Sequence, residues 1–359
     1  MRKQVIVALG AALFVAAGSS SASAQDQGFT LEIGGFYNAL AIVRDQSDVG
    51  GTKIRRYDFN QRGRYAITGS QTLDSGLTIG FHTEYEMQAG MANDRSYVFA
   101  EGGFGRVHFG TNWSPIEHMH ALTPSAGWAV DDSSHPEGFA GLNGVYPVWT
   151  TAYVSGQDMR LSYYSPRVYG FQLGASYAPD TNNTVNMNNR VATILNNVVV
   201  KDLFAAIVNY ENSFGELDVF ASLGAETGQR GRGNAGLFTK KRQYAYSAGL
   251  QLGYGGFLGG LAYGYDDLGQ SNYRQHKLGA GLLYSLDALT FGPSFAMGWE
   301  RGSASNRERV YVFELGATYA FAPGVDLIGS IQHARFRRGS GPTNNGKGTA
   351  GLFGVAFTF

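Results

Sequence analysis

The chain has 359 residues, with 28 basic and 28 acidic side chains, 51 glycines, 23 phenylalanines, 21 tyrosines and no cysteine. Without cysteine there is no disulfide framework, thiolate zinc site, iron–sulfur cluster or cysteine nucleophile. The balanced charge argues against a nucleic-acid partner, which calls for a basic excess or stripe.

Arg2 and Lys3 precede an apolar stretch from Val5 to Ala17 and a small run ending Ala22-Ser23-Ala24. A basic start, a short apolar segment and an A-x-A site are the parts of a secretory signal peptide. The stretch is shorter than the roughly 20 residues that span a bilayer as a helix. Residues 1–24 are therefore expected to be a cleaved signal peptide and 25–359 a single domain. No later segment reaches 18 uninterrupted apolar residues, so no transmembrane helix is expected downstream.

From there the chain alternates at period two. Tyr244, Tyr246, Ala248, Leu250, Leu252 and Tyr254 interleave with Ala245, Ser247, Gly249, Gln251 and Gly253. Tyr311, Phe313, Leu315, Ala317, Tyr319 and Phe321 interleave with Val312, Glu314, Gly316, Thr318 and Ala320. Such alternation places one set on each face of a strand. Sixteen strands are predicted, starting near Phe29, Arg55, Leu77, Arg95, Arg106, Met159, Gly170, Lys201, Glu216, Gln243, Phe257, Arg274, Leu289, Arg309, Val325 and Lys347. Short turns such as Tyr254-Gly255-Gly256 alternate with longer polar loops such as 180–197 and 228–242. An even strand count with short turns at one end and long loops at the other is the pattern of an outer-membrane barrel.

The two faces separate a membrane barrel from a soluble sandwich. A sandwich turns its polar, charged face to water. Here the non-apolar face is mainly Gly, Ala, Ser and Gln, while the apolar face ends in Tyr and Phe, as in the girdles at headgroup level. The expected fold is an all-β, sixteen-stranded antiparallel transmembrane β-barrel.

Tyr97-Val98-Phe99 running into Gly103-Phe104-Gly105-Arg106-Val107-His108-Phe109-Gly110, the segment Tyr163-Tyr164-Ser165-Pro166, and the terminal Phe359 carry a family resemblance. The chain resembles the trimeric general-diffusion porins of Gram-negative bacteria, particularly the α-proteobacterial type. The resemblance implies a homotrimer in the outer membrane and a third loop folded into the barrel opposite basic wall residues. It also implies that the last strand, ending at Phe359, is read by the outer-membrane assembly machinery. The chain departs from that family in lacking a Pro-Glu-Phe-Gly-Gly loop tip.

Between Thr111 and Met159 the alternation stops, and 113–157 is expected to be the constriction loop; an ordered loop beyond about 12–15 residues is usually functional. Ser114, Pro115 and Glu117 are spaced as a capping box, predicting a helix from Pro115 to about Ala121. The loop is acidic, with Glu117, Asp131, Asp132 and Glu137 and no Lys or Arg. Alternation turns Arg62 and Arg64, His82, Glu84 and Glu86, Arg106 and His108, and Arg160 and Tyr164 into the lumen. The expected eyelet sets Arg62, Arg64, Arg106 and Arg160 against Glu117, Asp131 and Asp132. His82, Glu84, His108 and Tyr164 are further lumen-facing residues. Lumen-facing charges tune ion preference.

Other constellations carry less. Gly231-Arg232-Gly233-Asn234-Ala235-Gly236 fits G-x-G-x-x-G by letter, but a strand follows where a nucleotide site needs a helix. Its basic neighbours Lys240, Lys241 and Arg242 suit lipopolysaccharide phosphates instead. His118 and His120 are two apart and would not share a helical face; with His135 they form no convincing metal site. A calcium ion on loop carboxylates is the one metal these residues could hold, since hard cations take oxygen ligands; otherwise no cofactor is expected. No G-x-S-x-G elbow appears, and an enzyme is not expected. The function expected is passive diffusion of ions and small hydrophilic solutes. The alternatives are a pore selective for sugars, using Trp113, Trp128, Tyr146 and Trp149, or for an anion such as phosphate, and a non-conducting structural or adhesive barrel.

Overall fold

Strands of a membrane barrel must satisfy every backbone N–H and C=O within the sheet, because hydrocarbon offers no partner. A computed structural model describes residues 28–48, 53–88, 93–128, 130–131, 139, 148–181, 200–230, 242–302, 308–337 and 345–359. In it the chain closes that requirement into a ring. The first half contributes β1 (Thr30–Gln46), β2 (Tyr57–Thr72), β3 (Thr78–Glu86), β4 (Asn93–Gly102), β5 (Gly105–Asn112), β6 (Asp158–Tyr164), β7 (Phe171–Asp180) and β8 (Val200–Phe214). The second half contributes β9 (Leu217–Arg230), β10 (Arg242–Tyr254), β11 (Phe257–Asp266), β12 (Arg274–Leu286), β13 (Leu289–Arg301), β14 (Arg309–Ala322), β15 (Val325–Arg337) and β16 (Gly346–Thr358). Each strand pairs antiparallel with its sequence neighbours, and β16 pairs with β1 from Phe36↔Thr358 to Gln46↔Gly348. The sixteen expected starts all fall within two residues of these.

Phe359 finishes the closure. Gly35 donates its N–H to the Phe359 carbonyl at 2.8 Å, and Phe359 returns one to Gly35 at 3.1 Å. The Phe359 ring lies over Gly35, where a Cβ would stand 2.9 Å from its Cζ. At the short-turn end, Gly255 (φ 56°) and Gly256 (φ 86°) join β10 to β11; two successive positive φ values match the twist of a two-residue hairpin and favour glycine.

The packing is inverted relative to a soluble domain. Phe59 is 83% exposed and Phe353 63%, while Glu314 on the opposite face is fully buried. The outer face is the one expected to meet hydrocarbon, and the polar face points inward. No helix among the described residues is long and apolar enough to cross a membrane; the strands are the spanning elements.

The helix of the long loop, α1 (Pro115–Met119), is shorter than the expected Pro115 to Ala121. Ser114 occupies the N-cap position but makes no side-chain cap bond, so the expected capping box does not form; Glu117 N–H is instead bonded to the Ser114 carbonyl at 3.1 Å. What places α1 is burial of Ile116 and Met119 against Leu203, Ala205 and Ile207 of β8. Burial of side chains of this size contributes roughly 1.5–3 kcal/mol each. The helix ends at His120, whose backbone is extended, and the barrel wall then takes up backbone carbonyls of the following residues. The signal-peptide segment, Asp132, His135, Glu137, Tyr146, Gly231 to Gly236, Lys240 and Lys241 lie outside the described residues.

Candidate channel constriction

The long loop is a strap along the inner wall. Its carbonyls at Leu122, Pro124 and Ala126 accept bonds from Gln251 Nε2 of β10 (2.7 Å), Ser294 Oγ of β13 (2.7 Å) and Thr318 Oγ1 of β14 (2.8 Å). Alternate residues of an extended segment point one way, so one edge of the strap is stitched to the barrel. Glycines in the wall make the approach possible. A Cβ at Gly249 would collide with the Ala121 carbonyl oxygen, one at Gly281 with the Pro124 carbonyl oxygen and one at Gly316 with the Gly127 backbone.

Two buried carboxylates fasten the strap. Glu314 of β14 accepts from Ser125 Oγ at 2.5 Å, Trp128 N–H at 3.0 Å and Gln332 Nε2 at 2.8 Å. Glu226 of β9 accepts from Val154 N–H at 2.8 Å and from the Ser155 hydroxyl. Beyond Glu314, Val130, Phe139 and Val148 join Leu40, Ile42, Val312 and Leu352 in an apolar cluster. The described parts of the strap meet β7–β10, β13, β14 and β16, and at its end Gln157 donates to Asp94 of β4 at 2.6 Å.

Asp131 ties the outgoing and returning arms together. It is 3% exposed and accepts four bonds: Thr123 N–H (3.0 Å) and Oγ1 (2.8 Å), Thr150 N–H (2.7 Å) and Oγ1 (2.7 Å). Burial pushes its carboxyl above the usual range, and the threonine bonds oppose that shift. The knot continues through His120, whose Nε2 lies 3.1 Å from Thr150 Oγ1 and whose Nδ1 lies 3.0 Å from Ser222 Oγ of β9. Because the Thr150 hydroxyl donates to Asp131, His120 donates to it from Nε2, and in the neutral imidazole Nδ1 then accepts from the Ser222 hydroxyl. Burial depresses His120 to about 3. His118 is also at about 3, through burial first and then the charge of Arg95.

The inner face of β2–β4 carries interleaved charge. Arg64 reaches Glu86 at 2.6 Å, Asp94 at 3.1 Å and Glu84 at 3.4 Å. Arg62 reaches Glu86 at 3.0 Å, and Arg95 Nε donates to Glu84 at 2.5 Å. Three guanidiniums and three carboxylates therefore share the inner face of β2, β3 and β4. Beside them His82 and Tyr97 stack at 5.1 Å, Tyr97 and His108 at 4.4 Å, and His108 meets Tyr164 at 5.1 Å.

The structure brings together Arg62, Arg64 and Glu84 from the expected set, with His82, His108 and Tyr164 beside them on the inward face. It separates the other two arginines from that group. Arg106 lies next to the short β4–β5 turn, 3.4 Å from Glu101 and over the Phe99 ring at 4.7 Å. Arg160 is 2% exposed and is consumed in holding the loop base, through Asn112 O (2.7 Å), Ser155 Oγ (2.8 Å) and Gly156 O (2.9 Å). On the loop, Asp131 is spent inside the knot, so it does not face the arginines across open lumen. Glu117 stands on α1, on the β7–β8 side of the barrel.

Sequence reasoning missed Asp94 and Arg95 as partners of this cluster because β3 and β4 shift register between Glu84 and Tyr85. That bulge sends two consecutive residues to the same group, which strict alternation forbids. Sequence reasoning also missed Glu226 and Glu314; the signal that marks them is an isolated inward charge on a face of small and polar residues. The loop aromatics pack on one another: Trp113 meets Trp149 at 5.7 Å, and Trp149 meets Tyr153 at 4.7 Å. Among the described residues no three His, Asp or Glu side chains are grouped to hold a metal ion.

Known proteins share this architecture. The profile of a family described as Gram-negative porin matches residues 10–339. An uncharacterized protein of Rickettsia typhi is 23% identical, with 93% of this chain and 92% of that protein covered. One of Rickettsia prowazekii is 22% identical over the same shares. Among solved structures, OmpT of Vibrio cholerae matches with a TM-score of 0.62 at 13% identity, covering 94% of this chain and 99% of that one. A porin described as anion-selective, from Comamonas acidovorans, matches at 0.58 and 17% identity, covering 92% and 100%. With its closed sixteen-stranded barrel, inverted packing and a family match over most of its length, the chain belongs to the Gram-negative porins, which are outer-membrane channels.

Proposed function

We propose that the protein is a passive diffusion pore for ions and small hydrophilic solutes, narrowed between the 113–157 strap and the charged wall of β2–β4. The observation that carries this is the interleaved cluster of Arg62, Arg64 and Arg95 with Glu84, Glu86 and Asp94 on the inner face of β2–β4. Alternating charges hold water and favour polar solutes, whereas a ring of one sign would select ions strongly. Three positive groups against three negative ones support weak ion selectivity. The mutual packing of Trp113, Trp149 and Tyr153 leaves them poorly disposed as a sugar-stacking track, which favours general diffusion over a sugar-specific pore.

The native assembly in this reading is a homotrimer, delivered by the cleaved 1–24 signal. Small outward side chains on β1 support an interface there. Ala39 and Ala41 floor a shallow hollow walled by Phe59, Gln61, Phe353 and Val355. A fold neighbour from Vibrio cholerae is described as a trimer form.

Liposome swelling tests the pore. Entry of uncharged sugars should fall smoothly with their size, with no one sugar favoured. Rapid entry of a single sugar, or no swelling with folded protein present, would contradict the reading.

A further inference from the structure

The inner wall of β5 and β6, near the short-turn end, gathers buried donors that lack an acceptor. His108 on β5 stands directly opposite Ser162 on β6, and Arg106 opposite Tyr164. His108, Ser162 and Tyr164 are 6%, 0% and 8% exposed. His108 Nε2, Ser162 Oγ, Tyr164 Oη and Arg106 Nε are buried atoms without a hydrogen-bond partner among the described residues. Buried polar atoms are nearly always answered, so four in one place call for an explanation.

Asn112 fixes which nitrogen of His108 carries the proton. Its Oδ1 accepts from the Trp113 N–H at 2.9 Å, so its Nδ2 is the atom that faces His108 Nδ1, at 3.2 Å. Nδ1 therefore accepts, and Nε2 bears the hydrogen and can only donate. An arginine Nε–H is likewise a donor alone, and each of the two hydroxyls can donate. The group is compact. The His108 ring centroid lies 5.1 Å from that of Tyr164 and 6.4 Å from that of Phe99, and the Arg106 guanidinium sits 4.7 Å over Phe99.

Most of the charge that reaches these donors is positive. Arg160, Arg106 and Arg95 act on Tyr164, and Arg106, His82 and Arg95 on His108. Glu84 is engaged with Arg95 at 2.5 Å, and Asp158 stands 3.7 Å from Arg160. Glu101 is the acid beside the group: its Oε2 lies 3.4 Å from Arg106 Nε, an ion pair without a hydrogen bond, and its side chain is 52% exposed.

We propose that Arg106, His108, Ser162 and Tyr164 form a binding site for one small monovalent anion, a halide such as chloride, on the short-turn side of the charged cluster. A halide is a single acceptor that takes N–H and O–H bonds from several directions at once. It brings no hydrogen that would need an acceptor in turn. Arg106, with 39% of its side chain exposed, is where the ion enters from the lumen. The site is a property of the wall and stands whether or not the pore conducts.

Chloride-35 NMR line broadening on the full-length protein, folded in detergent and titrated with sodium chloride, tests the site. Tyr164→Phe and Ser162→Ala each remove one hydroxyl and no charge, and each should weaken chloride binding about tenfold, the usual worth of a hydrogen bond to a charged group. Glu101→Gln removes the acceptor that competes for Arg106 and should tighten binding; Glu101 is exposed, so this variant stays informative even if the buried ones fold poorly. Crystals grown in bromide should show an anomalous peak in contact with His108 Nε2 and Tyr164 Oη. A native protein without excess chloride linewidth would overturn the proposal. So would equal linewidths in the native protein and both hydroxyl variants, weaker binding in Glu101→Gln, or a water in place of bromide among the four donors. Single-channel conductance on the same preparations separates this from the pore reading: its absence in native protein would count against the pore alone.

Discussion

Ser125 in the strap donates its hydroxyl to Glu314 of β14 at 2.5 Å, and this contact ties the loop to the wall far across the barrel from its own roots in β5 and β6. The same carboxylate takes the Trp128 N–H. Glu314→Ala would leave buried donors unanswered, at a cost of about 1–3 kcal/mol each. Thermal unfolding should move down accordingly, and single-channel records should gain flicker as the 125–128 arm detaches. A variant with native stability and quiet openings would show that the apolar cluster alone holds the strap.

Gly249 tests the close approach from the other direction. Gly249→Val puts a side chain where the Ala121 carbonyl lies against β10. The strap must shift toward the lumen, so conductance should fall while the barrel stays folded. Unchanged conductance would mean that the wall can absorb the added bulk by moving outward.

Charge at the constriction is open to direct alteration. Glu84→Gln with Glu86→Gln leaves Arg62, Arg64 and Arg95 opposed by Asp94 alone, and the reversal potential in a salt gradient should move toward anion preference. Arg62→Gln with Arg64→Gln should move it the other way. If neither pair shifts it, ions do not pass this cluster.

His118 and His120 give the strap an acid sensitivity. An unfolded histidine titrates near 6.5, whereas both are held at about 3 in the docked loop. The folded values are lower, so the unfolded state takes protons first. The stability of docking is full above about pH 6.5 and is lost as pH falls toward 3. Protonated His120 could no longer accept from Ser222. Asp131, raised by burial, has the opposite sign and offsets part of the loss. Between pH 7 and pH 4.5 the native protein should lose more thermal stability than the His118→Asn/His120→Asn variant; equal losses would show that the imidazoles are not held neutral.

Strand positions were legible because a barrel wall repeats one rule, apolar out and small or polar in, for sixteen strands. The parity of Arg62, Arg64 and Glu84 followed from that rule. Arg95 escaped it where the β3–β4 register slips at Glu84. The loop has no such periodicity. Asp131 reads as a free acid in sequence, yet Thr123 and Thr150, far apart in the loop, converge on it. Arg160 likewise faces inward as its alternation requires, but the loop base that covers it has no signature in the strand that carries it. Ser114 and Glu117 satisfied a local capping pattern that tertiary burial of Ile116 and Met119 made unnecessary.

Single-channel recording of the purified protein in a planar bilayer, under a salt gradient, tests the central claim most directly. The account predicts large steps that scale with salt, closures in thirds at high voltage and a small reversal potential from the balanced cluster. Folded protein that inserts and passes no current, or small steps blocked by one solute, would contradict a general diffusion pore.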